Sequence, residues 1–250
     1  MLKTFFSSNS DDLMINDLRV AIFNLLFAKN HDGEFMIKVT NKDLSDKLDK
    51  IGVKNIFSQN ENTYDIVAET TSKLIKRGLL EKKDGNNFYF TPDTKERLTF
   101  KDAILGEIII DPEKFKNTLL IKDNIPTDDF LFIEDCYNNQ TTHIIRNEGD
   151  RKLIELQHII NHALKRTTPG SALIPPLKKD NTSLSSLLND GFSGINIFNY
   201  IATIGRTEFK MVCSTTRKIE DTFSVSSLAN INPEFDKEHL KWMDTNCKEN

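Results

Sequence analysis

The stretch from Thr63 to Pro92 constrains the fold most, because it carries a helix, a stop signal and a hairpin in immediate succession. Ile66, Val67, Thr70 and Leu74 recur at helical spacing, so the segment from Thr63 to Arg77 is predicted to be a helix with those residues facing inward. Gly78 supplies the residue that most readily closes a helix in the left-handed conformation. Leu79-Leu80-Glu81-Lys82-Lys83 and Phe88-Tyr89-Phe90 flank Asp84-Gly85-Asn86-Asn87, whose residues accept positive φ, and this predicts a β-hairpin. Thr91-Pro92 then places proline at the favoured first position of another helix.

Upstream, Leu18, Ile22, Leu25 and Leu26 predict an amphipathic helix from Asp12 to about Asn30, ended by His31-Asp32-Gly33. Met36 to Val39 reads as a short strand, and Thr40 with Asp43 resembles a capping box opening a helix through Leu44, Leu48 and Ile51. Helix, short strand, helix, helix, hairpin is an order that resembles the winged helix-turn-helix superfamily, most clearly in Leu74-Ile75-Lys76-Arg77-Gly78-Leu79-Leu80-Glu81-Lys82 followed by Phe88-Tyr89-Phe90-Thr91-Pro92. The resemblance implies a DNA-binding domain over residues 13–98. Its third helix would offer Thr70, Thr71, Lys73, Lys76 and Arg77 to DNA, and its wing would grip the backbone through Lys82 and Lys83. Five basic against three acidic residues between Tyr64 and Lys83 make a weak electrostatic footprint, so docking on protein competes with docking on DNA. The polar insertion from Gly52 to Asn62 also departs from a compact helix-turn-helix.

Residues 99–250 are expected to form a second, mixed α/β domain, making the whole an α+β protein. Asp111-Pro112 opens a predicted helix through Leu119, Phe130–Ile133 and Thr142–Ile145 read as a hairpin, and Asp150 to Lys165 reads as a helix with Leu153, Leu156, Ile160 and Leu164 inward. Further on, Ile195 to Ile201 and Thr207 to Cys213 are β-prone runs joined by Gly205-Arg206, which would put Glu208 and Lys210 on one strand face. Glu208-Phe209-Lys210 resembles the Glu-x-Lys half of the PD-(D/E)xK nuclease superfamily. That resemblance implies a DNA endonuclease with Asp190, Glu208 and Lys210 as catalytic residues, and Mg²⁺ held by Asp190, Glu208 and Glu155. Asn196 stands where the first acid would be expected, and a cross-strand ion pair explains Glu-x-Lys equally simply. Glu155, His158 and His162 share a helical face and form a weaker metal candidate.

Composition limits the remaining classes. A net charge of -4 argues against coating nucleic acid by charge alone. No apolar run reaches the roughly 20 residues that a membrane-crossing helix needs, and the polar Ser7–Asp12 stretch leaves no signal-peptide core, so a cytoplasmic protein is expected. Cys136, Cys213 and Cys247 are widely spaced and read as free thiols. Absence of GxGxxG, P-loop and GxSxG patterns gives no support to nucleotide-binding or hydrolase readings. The expected function is therefore DNA interaction, with cleavage as the enzymatic version. The alternative is a winged-helix subunit for regulation or assembly, its second domain serving as a dimerisation or partner platform.

Overall fold

The computed structural model describes residues 1–54, 63–178, 181–206, 213–228 and 231–247. In chain order the elements are β1 (Lys3–Ser8), α1 (Ile15–Asn30), β2 (Glu34–Val39), α2 (Lys42–Lys50), α3 (Thr63–Lys76), β3 (Leu80–Lys83), β4 (Asn87–Phe90), β5 (Leu98–Asp102) and β6 (Gly106–Ile110). They continue as β7 (Thr118–Lys122), β8 (Ile125–Pro126), α4 (Asp128–Asn138), β9 (His143–Asn147), α5 (Arg151–Leu164) and β10 (Gly170–Ile174). Four helices close the described chain: α6 (Leu184–Asn189), α7 (Gly194–Thr203), α8 (Thr216–Asp221) and α9 (Lys237–Asn246).

These elements sort into two compact units that do not follow the chain. The first takes the N-terminal segment through α2, then His143–Gly149, then the chain from Ala172 onward. Its sheet runs in the order β10-β9-β1-β2, and β1 pairs in parallel with both β2 and β9. Phe5-Phe6, Phe35-Met36-Ile37, Ile144-Ile145 and Ala172-Leu173-Ile174 are buried in unbroken runs, the pattern of parallel strands covered on both faces. Because α1 links parallel neighbours, it is buried on nearly every side, Leu18, Val20, Ala21, Ile22, Phe23, Leu25 and Leu26 included. Thr4 and Asn24 lock it to the sheet: the Thr4 hydroxyl donates to the Asn24 carbonyl at 2.9 Å, and the Asn24 amide bridges to the Ile145 carbonyl at 2.8 Å and accepts from the Ile145 N–H at 3.0 Å.

The second unit contains α3, the antiparallel sheet β3-β4-β7-β8, the hairpin β5-β6, α4 and α5. Val67, Leu74, Leu80, Phe90, Leu120, Phe130, Ile133, Leu156 and Ile160 form its core. The expected hairpin is present, Leu80 facing Phe90 and Lys83 facing Asn87, with Gly85 at φ +81° in its turn.

This architecture corrects the winged-helix expectation. The helices at 15–30 and 42–50 belong to the parallel-sheet unit and α3 to the other, so the three build no common helical core. The hairpin continues through Tyr89 opposite Leu119 into a four-stranded sheet, which leaves no free wing. Thr91-Pro92 opens no helix, Asp111-Pro112 opens only a short 3₁₀ turn ending at Phe115, and Phe130–Ile133 lies in α4 because Thr127 caps that helix at the Phe130 N–H. A nuclease-like hairpin is contradicted as well: Ile195–Ile201 lies in α7, capped by Ser193.

Candidate functional site

In a parallel α/β sheet, ligands enter beyond the carboxyl ends of the strands, where the helix after the first strand aims its free N–H groups outward. Here that position is the loop Asn9–Met14 between β1 and α1, flanked by the ends of β2 and β9. Side chains of the same unit fill it. Ser10 and Asp12 brace the loop, Ser10 Oγ donating to the Asp12 carbonyl at 2.6 Å while an Asp12 carboxylate oxygen accepts from the Leu13 N–H at 3.0 Å. Asn41 donates to Asp11 at 2.8 Å, and Asn147, at the end of β9, donates to Asp17 at 3.3 Å.

The segment after β10 closes the same spot. Ile15 N–H, which would face a ligand, donates to the Thr182 carbonyl at 3.1 Å. Leu184 N–H donates to the Leu13 carbonyl at 2.8 Å, Ser185 N–H to Asp12 at 3.2 Å, and Leu177 N–H to the Asn16 side chain at 3.0 Å. Arg19 anchors this closure from beneath. Fully buried, it donates to the Pro175 carbonyl at 2.8 Å and the Ile204 carbonyl at 3.2 Å, and burial pulls its pKa down to about 10.

A phosphate group does not fit this arrangement. The loop holds no glycine for close backbone approach, and its first helical N–H is already bonded. Asp12 in the loop and Asp17 in the first helical turn also bring negative charge to the helix's positive end, which disfavours a phosphate there.

The residues expected to meet DNA serve the second unit internally. Thr70 is buried, donating to Glu134 at 2.6 Å and accepting from Arg166 at 2.6 Å. Arg166 also holds the buried Glu134 carboxylate at 2.8 Å, yet burial prevails and raises the Glu134 pKa above its ordinary value. Thr71 turns its hydroxyl inward, Lys73 pairs with Glu69 at 2.6 Å, and Arg77 pairs with Asp93 at 3.0 Å and with the Ala163 carbonyl. Lys76 lies on the exposed face of α3, Lys82 lies 5.9 Å from the Phe88 ring centroid, and Lys83 pairs with Glu81 at 3.0 Å. Most of this charge is answered from within the fold.

Of the proposed nuclease residues, Asp190 and Glu155 are each paired within their own unit. Asp190 caps the end of α6 and pairs with Lys237 at 2.7 Å, whereas Glu155 pairs with Arg151 at 2.8 Å in the other unit. Asn196 donates to Asp244 at 3.1 Å in the first turn of α7; Glu208 and Lys210 lie outside the described residues. No group of three His, Cys, Asp or Glu able to hold a metal occurs among the described residues. His158 lies half-buried against Phe100 while His162 is exposed, so the Glu155–His158–His162 face does not converge. Cys213 and Cys247 form a disulfide with Cα atoms 5.4 Å apart, which corrects the reading of three free thiols; Cys136 remains a buried thiol.

Asn16, Asp17 and Asn147 were missed by sequence reasoning because β1 was not recognised. The signal was there: a Thr4-Phe5-Phe6 run, a polar loop and a long apolar helix are the start of a β-loop-α unit.

The core is Rossmann-like: a parallel sheet with a buried crossover helix and a ligand crevice at its carboxyl edge. Comparison with solved structures makes this specific, for the fold is that of the glutamate–tRNA ligases. The chain superposes on the crystal structure of glutamate-tRNA synthetase from Elizabethkingia anophelis with a TM-score of 0.78 over 96% of its length and 69% of that chain, at 15% identity. For a glutamate tRNA ligase from Elizabethkingia meningosepticum, solved in complex with its amino acid, the values are 0.79, 96%, 68% and 16%. Curated relatives agree. Glutamate–tRNA ligase 2 of Neorickettsia sennetsu is 24% identical over 94% of this chain, and the glutamate–tRNA ligase of Aquifex aeolicus is 25% identical over 97%. The chain spans 63% of the first relative and 66% of the second. No family model matches. These findings overturn the winged-helix and nuclease resemblances, and with them the DNA-binding, nuclease and winged-helix-subunit functions.

Proposed function

We propose that this chain is a glutamate–tRNA ligase-type protein that acts on tRNA, supplying recognition of the tRNA and not the ligation step. One observation carries the first half: the likeness to glutamate–tRNA ligases runs through nearly the whole chain, 94–97% in sequence and 96% in structure, and is not confined to a shared nucleotide-binding motif. The second half rests on the crevice. Ligating a carboxylate requires activation by a nucleotide, and the nucleotide's place in this fold is filled by Asp12, Asp17 and the chain around Thr182. A cytoplasmic location fits work on tRNA, and no described helix is long and apolar enough to cross a membrane.

The test pairs binding with charging. Purified full chain is titrated with total tRNA and with duplex DNA of matched length, then incubated with tRNA, ATP, Mg²⁺ and radiolabelled glutamate. The expected result is preferential retention of tRNA with no acid-precipitable glutamate. Equal binding of DNA and tRNA, or binding of neither, refutes the tRNA reading. Transfer of label to tRNA refutes the assignment to recognition alone.

A further inference from the structure

The second unit contains a cavity of about 310 Å³ between the end of α4, the Thr141-Thr142 turn, Asn161 of α5 and the Thr167-Thr168-Pro169 loop. That volume is in the range of small-ligand sites. Every side chain lining it is uncharged, so an ionic ligand would find no counter-charge there. Several polar atoms at and beneath its wall lack protein partners. Asn161 is 2% exposed with its Oδ1 unbonded, and the Thr141 hydroxyl is likewise buried and unbonded. One helical turn before Asn161, on the same face, Gln157 is wholly buried with neither amide atom bonded. Each such atom costs on the order of 1–3 kcal/mol if left unanswered, so a cluster of them calls for an occupant that hydrogen-bonds.

The lining also includes an aromatic ring. Tyr137 lines the cavity, and the Arg166 guanidinium lies 3.7 Å from its ring centroid, fixing the ring by stacking. Arg166 is itself held by Glu134, so its charge is compensated. An aromatic plane, a carboxamide and hydroxyls with no net charge match a neutral, planar molecule that carries a donor and an acceptor side by side. Those are the properties of a nucleobase, which carboxamides read by its edge and aromatic rings by its face.

We propose that this cavity is a nucleobase site, in which Asn161 and Thr141 bond the base edge and Tyr137 forms its wall. The inference stands whether or not the whole chain binds tRNA. It is tested on the full chain by calorimetric titration with adenosine, guanosine, cytidine and uridine. Glycerol and acetamide serve as neutral probes without a base, and a short single-stranded RNA as competitor. Two variants accompany the wild type: Asn161→Leu removes the buried amide, and Thr168→Phe fills the mouth from a half-exposed position whose change leaves the core intact.

At least one nucleoside should bind, and both variants should weaken it about tenfold or more. Displacement by the RNA would assign the site to a base presented by a polymer, and failure to displace would assign it to a free nucleoside; either supports the site. The proposal is overturned if no nucleoside binds, if glycerol or acetamide binds as tightly, or if Thr168→Phe leaves affinity unchanged. Should Asn161→Leu fail to fold, Thr168→Phe alone decides.

Discussion

His158 makes the stability of the second unit depend on pH in a way that can be isolated. Its ring stacks on Phe100 with centroids 4.0 Å apart and planes 20° from parallel, and Nε2 is buried without a partner. Burial pushes its pKa down from 6.5 to about 4. Between those values the unfolded chain binds a proton that the folded chain refuses, so stability is fully present above about pH 6.5 and is lost as pH falls toward 4. At pH 5.0 the linkage relation gives a loss near 2 kcal/mol relative to pH 7.5, which partial exposure of the ring trims to about 1–2 kcal/mol. His158→Phe keeps the stack and removes the titration. Urea unfolding at both pH values, followed by circular dichroism, should show the wild type losing about 1–2 kcal/mol more than the variant. Other carboxyl and histidine groups titrate alike in both proteins and cancel in the difference. Parallel losses in the two proteins would refute the assignment of a neutral, desolvated His158.

Four further outcomes test other parts of the structure. Arg166→Ala should cost about 3–5 kcal/mol at neutral pH by stranding the buried Glu134 carboxylate. Because the Glu134 pKa is raised, its folded form gains a proton readily, so the defect should shrink at pH 5 and grow at pH 8 in urea melts. Gly194→Ala should destabilise the first unit by about 1–3 kcal/mol in thermal melts, since a Cβ there would overlap the Lys50 carbonyl oxygen. Reducing the Cys213–Cys247 bridge, which closes a separation of 34 residues, should cost about 3–4 kcal/mol, and Cys247→Ser should melt identically with or without reductant. Arg19→Met should lower stability and increase proteolysis near Pro175, because the guanidinium's bonds to the Pro175 and Ile204 carbonyls are lost.

Local periodicity was legible where an element's neighbours lie close in sequence. The hairpin at 80–90 announced itself through Asp84-Gly85, and the helices at 15–30, 63–76 and 151–164 through apolar spacing. What could not be read was which elements share a sheet. The β1 strand is completed by Glu34–Val39 and by His143, more than a hundred residues away, and a parallel pair leaves no turn between its strands to reveal it. Gly194–Thr203 shows the opposite failure: Ile195, Ile197, Phe198, Tyr200 and Ile201 are apolar enough for a strand, and the Ser193 cap at the Asn196 N–H decides for helix.

The same physics explains why basic residues in a promising order misled. Recognition by charge requires cations that the fold leaves unanswered, and a sequence displays cations without displaying their partners. Lys73 and Lys83 have partners four and two residues away, at Glu69 and Glu81, but Arg77 meets Asp93 and Ala163 only once the second unit has folded. Thr70 is the extreme case: offered to a groove by helical position, it lies instead on a buried carboxylate 64 residues further along the chain. The glutamate–tRNA ligase-like fold is therefore carried by burial and strand order, while in its crevice Asn16 bonds Leu177, Ile15 bonds Thr182 and Asp12 bonds Ser185. A nucleotide-accepting crevice would require both that segment to be loosened and the glycine-free loop with Asp12 and Asp17 to be replaced, because each bars a phosphate on its own.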